Sequence, residues 1–165
     1  MKKIYILGLI ILCTSCKWFS AGTLGSFKRW AFVITEKQFE QELSQFFKNN
    51  PQYLVPEKWD YLDTWKESGY GFLKSKIFYF KDGPEEMYYV SYRDIDDDFT
   101  AKEGFKTTII SIRAVTDGNE MRIWFTVEDY EKNKVEEKRI DDRFHNEIIS
   151  KLEKQMNLKS KLYSH

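Results

Sequence analysis

The stretch TTIISIRAVTDGNEMRIWFTV, residues 107–127, decides the fold. Two runs of β-branched and aromatic residues flank Asp117-Gly118, and glycine tolerates the positive φ of a tight hairpin turn. Thr107 to Val115 is predicted as one strand and Met121 to Val127 as the next. Side chains alternate along a strand. Met121, Ile123, Phe125 and Val127 therefore share one face, and Arg122, Trp124 and Thr126 the other. With that facing, Phe125→Ala is expected to cost about 3–5 kcal/mol, as large-to-small core changes do.

Working outward from the hairpin, Met87 to Arg93 and Phe72 to Phe80 read as earlier strands, the latter turned by Lys81-Asp82-Gly83-Pro84. Val135 to Arg139 reads as a short, charged fifth strand, suited to an edge that must resist pairing with another chain. Trp30 to Ile34 is a further short apolar run.

Helices bracket this region. Thr35-Glu36-Lys37-Gln38 is a capping-box pattern, with Ile34 and Phe39 placed for the hydrophobic staple. Phe39, Leu43, Phe46 and Phe47 recur on one helical face, and Asn49, Asn50 and Pro51 end the helix. Pro56 opens a short helix with Trp59, Leu62 and Trp65 facing inward and Gly69 ending it. Asp141 or Asp142 is expected to cap a last helix whose stripe is Phe144, Ile148, Ile149, Leu152 and Met156. Residues 158–165 read as a frayed tail.

One apolar stripe per helix and one apolar sheet face predict an α+β fold. It is an antiparallel meander of about four to five strands, with the N-terminal and C-terminal helices packed on one face. A single domain is expected over residues 29–157.

Composition narrows the function. The chain has 165 residues, 42% hydrophobic, and its 13 Phe, 10 Tyr and 5 Trp are a high aromatic content. Basic and acidic residues balance at 26 each, with no polybasic block. Nucleic-acid binding needs a strong basic surplus to displace phosphate counterions. No nucleic-acid partner is expected, and no sequence block reads as a site for anionic lipid.

Catalytic patterns are missing. No Ser lies in a Gly-x-Ser-x-Gly elbow, and there is no Gly-rich phosphate loop. Glu85/Glu86 and Glu136/Glu137, read on strands, point to opposite faces and cannot act as dyads. His145 and His165 are the only histidines, and no converging ligand set accompanies them. Asp94 to Asp98 is the densest acidic run. It fails the calcium-loop pattern, because the sixth position is Phe99 instead of Gly and the twelfth is Phe105 instead of Glu. No catalytic residue, cofactor or metal is expected.

The first residues, MKKIYILGLIILCTSC, give an address. Lys2 and Lys3 are a positive lead, Ile4 to Leu12 is apolar, and small Thr14 and Ser15 precede Cys16. The apolar run is too short to span a bilayer, which takes about 20 helical residues. Leu12-Cys13-Thr14-Ser15-Cys16 resembles the lipobox of bacterial lipoproteins; Cys13 stands where that family carries an aliphatic residue. The resemblance covers Met1 to Cys16. It implies that residues 1–15 are a signal peptide and that Cys16 becomes the lipidated N-terminus, carrying diacylglycerol and a further acyl chain such as palmitate. Residues 16–28 then form a tether, and Lys17 resembles the sorting position of outer-membrane cargo. The expected location is the cell envelope, lipid-anchored, at the outer membrane facing the periplasm in a diderm. Cleavage removes Lys2 and Lys3, leaving 24 basic residues against 26 acidic. It also rules out a Cys13–Cys16 redox pair.

Tyr and Trp combine an apolar body with a polar tip and are favoured at interfaces. Trp59, Trp65, Tyr88, Tyr92 and Trp124 are the candidate surface, with Tyr88, Tyr92 and Trp124 expected on a sheet face away from the core. The leading expectation is a non-catalytic, membrane-anchored envelope lipoprotein that binds a protein partner or serves an assembly. The alternative is a small-ligand or glycan-binding lipoprotein using the aromatic surface. A hydrolase of envelope polymers ranks third.

Overall fold

The computed structural model describes residues 26–95, 106–116 and 123–163. The signal stretch, Cys16, most of the tether, Asp96 to Asp98, the Asp117-Gly118 turn, Met121, Arg122 and His165 lie outside the described residues.

The order is β1 (Arg29–Phe32), α1 (Glu36–Asn49), β2 (Ser75–Phe80), β3 (Glu86–Ile95), β4 (Thr107–Thr116), β5 (Trp124–Thr126), α2 (Lys134–Phe144), α3 (Ser150–Met156) and β6 (Lys161–Leu162). Short 3₁₀ turns occupy Pro51–Tyr53, Glu57–Leu62 and Val127–Tyr130, and π turns occupy Lys66–Tyr70 and His145–Ile149. All strand pairs are antiparallel, in the order β2-β3-β4-β1-β6. β5 also pairs with β4. One edge of β4 is thus divided: Thr108 to Ser111 pair with β1, and Ala114 to Thr116 with β5.

The fold is α+β, as expected, and both helical segments pack on one sheet face. Phe39, Leu43 and Phe46 of α1, then Phe144, Ile148, Ile149 and Leu152, form one core with Phe78, Phe80, Tyr88, Val90, Tyr92, Ile110, Ile112 and Val115 of the sheet. Thr35 caps α1 with both bonds of the capping box. Thr35→Ala removes the hydroxyl that accepts the Gln38 N–H, while the residue-35 N–H can still donate to Gln38 Oε1, and it is expected to cost about 1 kcal/mol, a typical N-cap loss. A shift in the urea midpoint measures it.

Five expectations need correction. Val135 to Arg139 is not a strand but lies in α2. Its one apolar residue, Val135, is 83% exposed, so no strand face needs burial there. Ile140 and Phe144, spaced i and i+4, extend the buried helical stripe backward instead. The cap is Asn133, whose side chain accepts from the Glu136 N–H at 3.2 Å. Asp141 and Asp142 therefore do not start a helix, and Asp141 is buried mid-helix. The tail is not frayed. Asn157 turns the chain at φ 51°, Lys161 and Leu162 pair with Ala31 and Trp30, and the Tyr163 N–H donates to the Arg29 carbonyl at 2.9 Å. Phe72 is exposed, because the turn through Gly69 (φ 89°) holds residues 70–73 out of the sheet and β2 begins at Ser75. β5 is short, since Val127 opens a 3₁₀ turn fixed by Thr126 and Asp129, and Phe125 is only half-buried.

Candidate functional site

The outer face of the sheet, away from the helices, carries the candidate tryptophans. Its cover is the segment from Glu57 to Tyr70. The chain leaves the core side at Tyr53, which packs against Phe46 and Phe80. It reaches the outer side at Leu62, packed with Tyr79 and Met87. Leu54 to Pro56 therefore cross the edge of β2, an outermost strand of the sheet. This strap shields an edge that otherwise invites pairing.

Under the cover, aromatic rings are used on one another. Trp65 lies flat on Tyr89, with centroids 4.0 Å apart and planes 8° apart. Trp124 meets Trp65 edge-on at 5.3 Å and donates its indole N–H to the Leu62 carbonyl at 3.2 Å. Trp59 donates to Glu85 Oε1 at 3.3 Å, and the Tyr79 hydroxyl donates to the same oxygen at 2.6 Å. Burial, then Glu85, pushes the Tyr79 hydroxyl up to about 12. Its hydrogen bond in turn draws Glu85 below the usual carboxylate range.

The structure brings Trp59, Trp65 and Trp124 to one face but does not place Tyr88 and Tyr92 with them. Those two point into the helical core. The Tyr88 hydroxyl donates to Glu86 at 3.0 Å, and that of Tyr92 to Glu40 at 3.3 Å. Sequence alternation failed here because β3 is buried on both faces from Glu86 to Tyr92. With Tyr, Met, Val and Ser on either side, neither face reads as polar. Tyr89, which sequence reasoning did not select, is the tyrosine that contacts Trp65 and Trp124.

Two grooves flank the strap. A groove of about 380 Å³ is lined by Phe47, Leu54, Val55, Lys76 and Ile77, with Asp60 and Asp63 at its rim. A second, about 510 Å³, runs beside Leu54, Pro56, Tyr79 and Phe80. Leu54, which lines both grooves, is 50% exposed; Tyr61 and Phe72 are also exposed, at 60% and 78%.

Glu85 and Glu86 point to opposite faces. Glu86 is buried on the core side, where Arg139 and Arg143 both pair with it. Arg143 also donates to the Pro84 carbonyl at 2.7 Å and to that of Asp82. Gly83, at φ 86°, lies against this guanidinium; an added Cβ would sit 3.4 Å from Nη2. Glu136 and Glu137 are on α2, paired with Arg139 and Lys134.

Asp141 is the other buried acid. Its Oδ1 accepts the Lys28 backbone N–H at 3.0 Å, where the tether joins β1. Burial pushes its carboxyl up to about 6; the Lys28 bond opposes this, and Glu137 and Asp142 add to it. An acid whose folded pKa is raised takes up a proton on the native side first, so stability falls as pH rises from about 4 to 6. That rise corresponds to roughly 2–3 kcal/mol. Asp141→Asn is expected to raise the urea midpoint at pH 8 and to flatten the slope between pH 4 and 7. An unchanged slope would refute the assignment.

On the other half of the outer face, strand register lines up Ser75, Ser91, Ser111 and Arg29 across four strands. The next outward-facing row is Arg93, Ile109, Ala31 and Lys161. Arg113 is the extra residue of a β-bulge in β4, and its Nε donates to Ser91 Oγ at 2.6 Å. Burial, then the charges of Arg93 and Arg29, draws its guanidinium below the usual arginine value.

Among the described residues no group of three His, Cys, Asp or Glu converges as a metal site, and no helix is long and apolar enough to cross a membrane. His145 is exposed, its ring 6.4 Å from that of Trp30. Asp94 accepts from the Glu36 N–H at 2.6 Å and the Thr108 hydroxyl at 2.9 Å, tying β3 to the start of α1. No family model, curated protein or solved structure matches this chain.

Proposed function

We propose that the chain is a lipid-anchored bacterial envelope protein whose domain is a non-catalytic module for binding a protein partner. The observation that carries the reading is the Met1–Cys16 stretch, with ten residues between Cys16 and the first buried residue of the domain, Phe27. A stable anchor needs two acyl chains, because one gives only marginal membrane binding. Cys16 is the cysteine that carries them. In a diderm the protein sits at the outer membrane and faces the periplasm.

A protein partner is favoured over a glycan or small ligand. The ring faces on which a sugar stacks are taken up at Trp65 and Tyr89, which lie on each other. Exposed Leu54 borders two open grooves along the β2 edge instead.

Intact mass and fractionation of cells expressing the native chain and Cys16→Ser test the anchor. The native protein is expected to begin at Cys16, carry acyl mass and partition to membrane, and the variant to do neither. A native chain without lipid, or one retaining Met1, removes the reading.

A further inference from the structure

We infer that the free edge of β2 from Ser75 to Ile77 takes an extended segment of the protein partner as an added strand, one that alternates cationic and apolar side chains. This inference rests on the protein-partner reading and deepens it, giving the mode of contact and the partner's chemistry.

Strand register decides which backbone groups are free. The Tyr92 N–H donates to the Lys74 carbonyl at 2.9 Å, and β2 and β3 continue antiparallel from that pair through Lys76↔Val90 and Phe78↔Tyr88. Opposed pairs in an antiparallel ladder alternate between bonded and non-bonded. Lys74, Lys76, Phe78 and Phe80 therefore commit their N–H and C=O groups to β3, and those of Ser75, Ile77 and Tyr79 point away from the sheet. β2 is an outermost strand. Among the described residues no group bonds the Ile77 N–H or C=O. Leu54 lines the groove beside Lys76 and Ile77 and also the one beside Tyr79, so the strap crosses the edge between Ile77 and Tyr79 and shields it there. On the Ile77 side the edge borders the groove of about 380 Å³, with Phe47 of α1 to one side and Asp60 and Asp63 of the cover to the other.

Free N–H and C=O groups at every second residue of an edge are matched by another strand, which offers its own at the same repeat. The two walls set its side chains. A residue opposite Ile77 projects on the same face as Ile77, toward the cover. Asp60 and Asp63 are exposed there, and neither is held in an ion pair among the described residues. A lysine or arginine suits that place. The adjacent residue, opposite Lys76, projects to the core side beside half-buried Phe47, whose ring lies 4.9 Å from that of Phe78. An apolar side chain suits that one. A folded second copy does not fit. Its β2 edge carries the same strap and walls, and two such edges cannot close to the spacing of about 4.8 Å between paired strands.

The test selects random nine-residue peptides, displayed on phage, against the full chain as purified from cells in detergent micelles. Enriched peptides are expected to alternate Lys or Arg with apolar residues. A synthetic copy of one should slow hydrogen exchange of the Ile77 amide at least tenfold. Methylating the peptide's backbone nitrogens singly should weaken binding at least tenfold at every second position and leave the positions between nearly unchanged. Asp60→Lys/Asp63→Lys should weaken binding at least tenfold, with the difference shrinking in high salt. Both side chains are exposed, and circular dichroism confirms that the variant folds. Peptides that bind without the two-residue period, or that ignore the two reversals, overturn the inference and leave the protein-partner reading in place. Failure to enrich any peptide overturns the inference and weakens that reading with it. A chain that sediments as a dimer with the Ile77 amide already protected assigns the edge to a second copy and also overturns the inference. Intact mass of the same sample reads the anchor separately.

Discussion

Glu86→Ala is expected to destabilise the fold by about 3–5 kcal/mol, the cost of breaking a buried ion pair by removing one partner. Its side chain is 4% exposed and receives two guanidiniums, Arg139 and Arg143. Arg143 is itself 9% exposed and lies over the Phe80 ring at 4.7 Å. It also bonds Glu147 at 3.1 Å and the carbonyls of the β2–β3 turn. The carboxylate therefore holds a hub that ties the turn, the start of β3 and α2 together. Removing it leaves an arginine pinned in a buried place with its charge poorly compensated. Arg139→Ala should cost less, about 1–2 kcal/mol. Arg139 is 30% exposed, and its loss leaves Glu86 still paired with Arg143. Urea unfolding of the two variants and the parent, at constant m-value, gives the comparison. Equal costs, or a Glu86→Ala midpoint matching the parent, would show that the hub contributes nothing.

That hub was invisible in the sequence, and the reason extends to the other misreadings. Helices with local signals were legible: the Thr35 capping box, the Phe39–Leu43–Phe46 stripe and the Phe144–Leu152 stripe all depend on residues within two turns. Strand existence was legible where β-branched runs are bounded by turn residues, as in residues 107–116. Facing was not legible in β3, because a strand covered on both sides has no polar face to mark it. The cover itself, residues 57–70, is made of 3₁₀ and π turns, which have no strong periodicity. Its role appears only when Trp65 is seen lying on Tyr89. Val135 to Arg139 misled because charge and shortness suit an edge strand as well as an exposed helical turn. Capping by Asn133 and the buried Ile140 decide for the helix. The alignment of basic residues across the sheet was missed for a different reason. Arg29, Arg93, Arg113 and Lys161 are scattered through the chain, and a search for charge runs cannot see a cluster made by register.

Phe144→Ala tests the core that both helical segments share, and it should cost about 3–5 kcal/mol. The ring is fully buried and central: it meets Phe78 edge-on at 5.6 Å, Trp30 at 5.4 Å and Tyr88 at 6.1 Å. These neighbours belong to β2, β1 and β3, so truncation opens a cavity bounded by three strands. None can shift into it without disturbing its own pairing. For a chain of this size that loss lowers the melting temperature by about 10 °C. Phe125→Ala, for which sequence facing alone predicts a similar cost, should cost only about 1–2 kcal/mol. Phe125 does face the core, but at half burial, with its ring beside Tyr130 at 6.4 Å in the middle of a strand only three residues long. A half-exposed ring gives up less transfer energy and leaves a depression that water fills. Thermal unfolding of both variants ranks them. A Phe125 cost equal to that of Phe144 would mean that β5 is as tightly enclosed as the centre of the core. A mild Phe144→Ala would mean that the helices and sheet do not share the single core described.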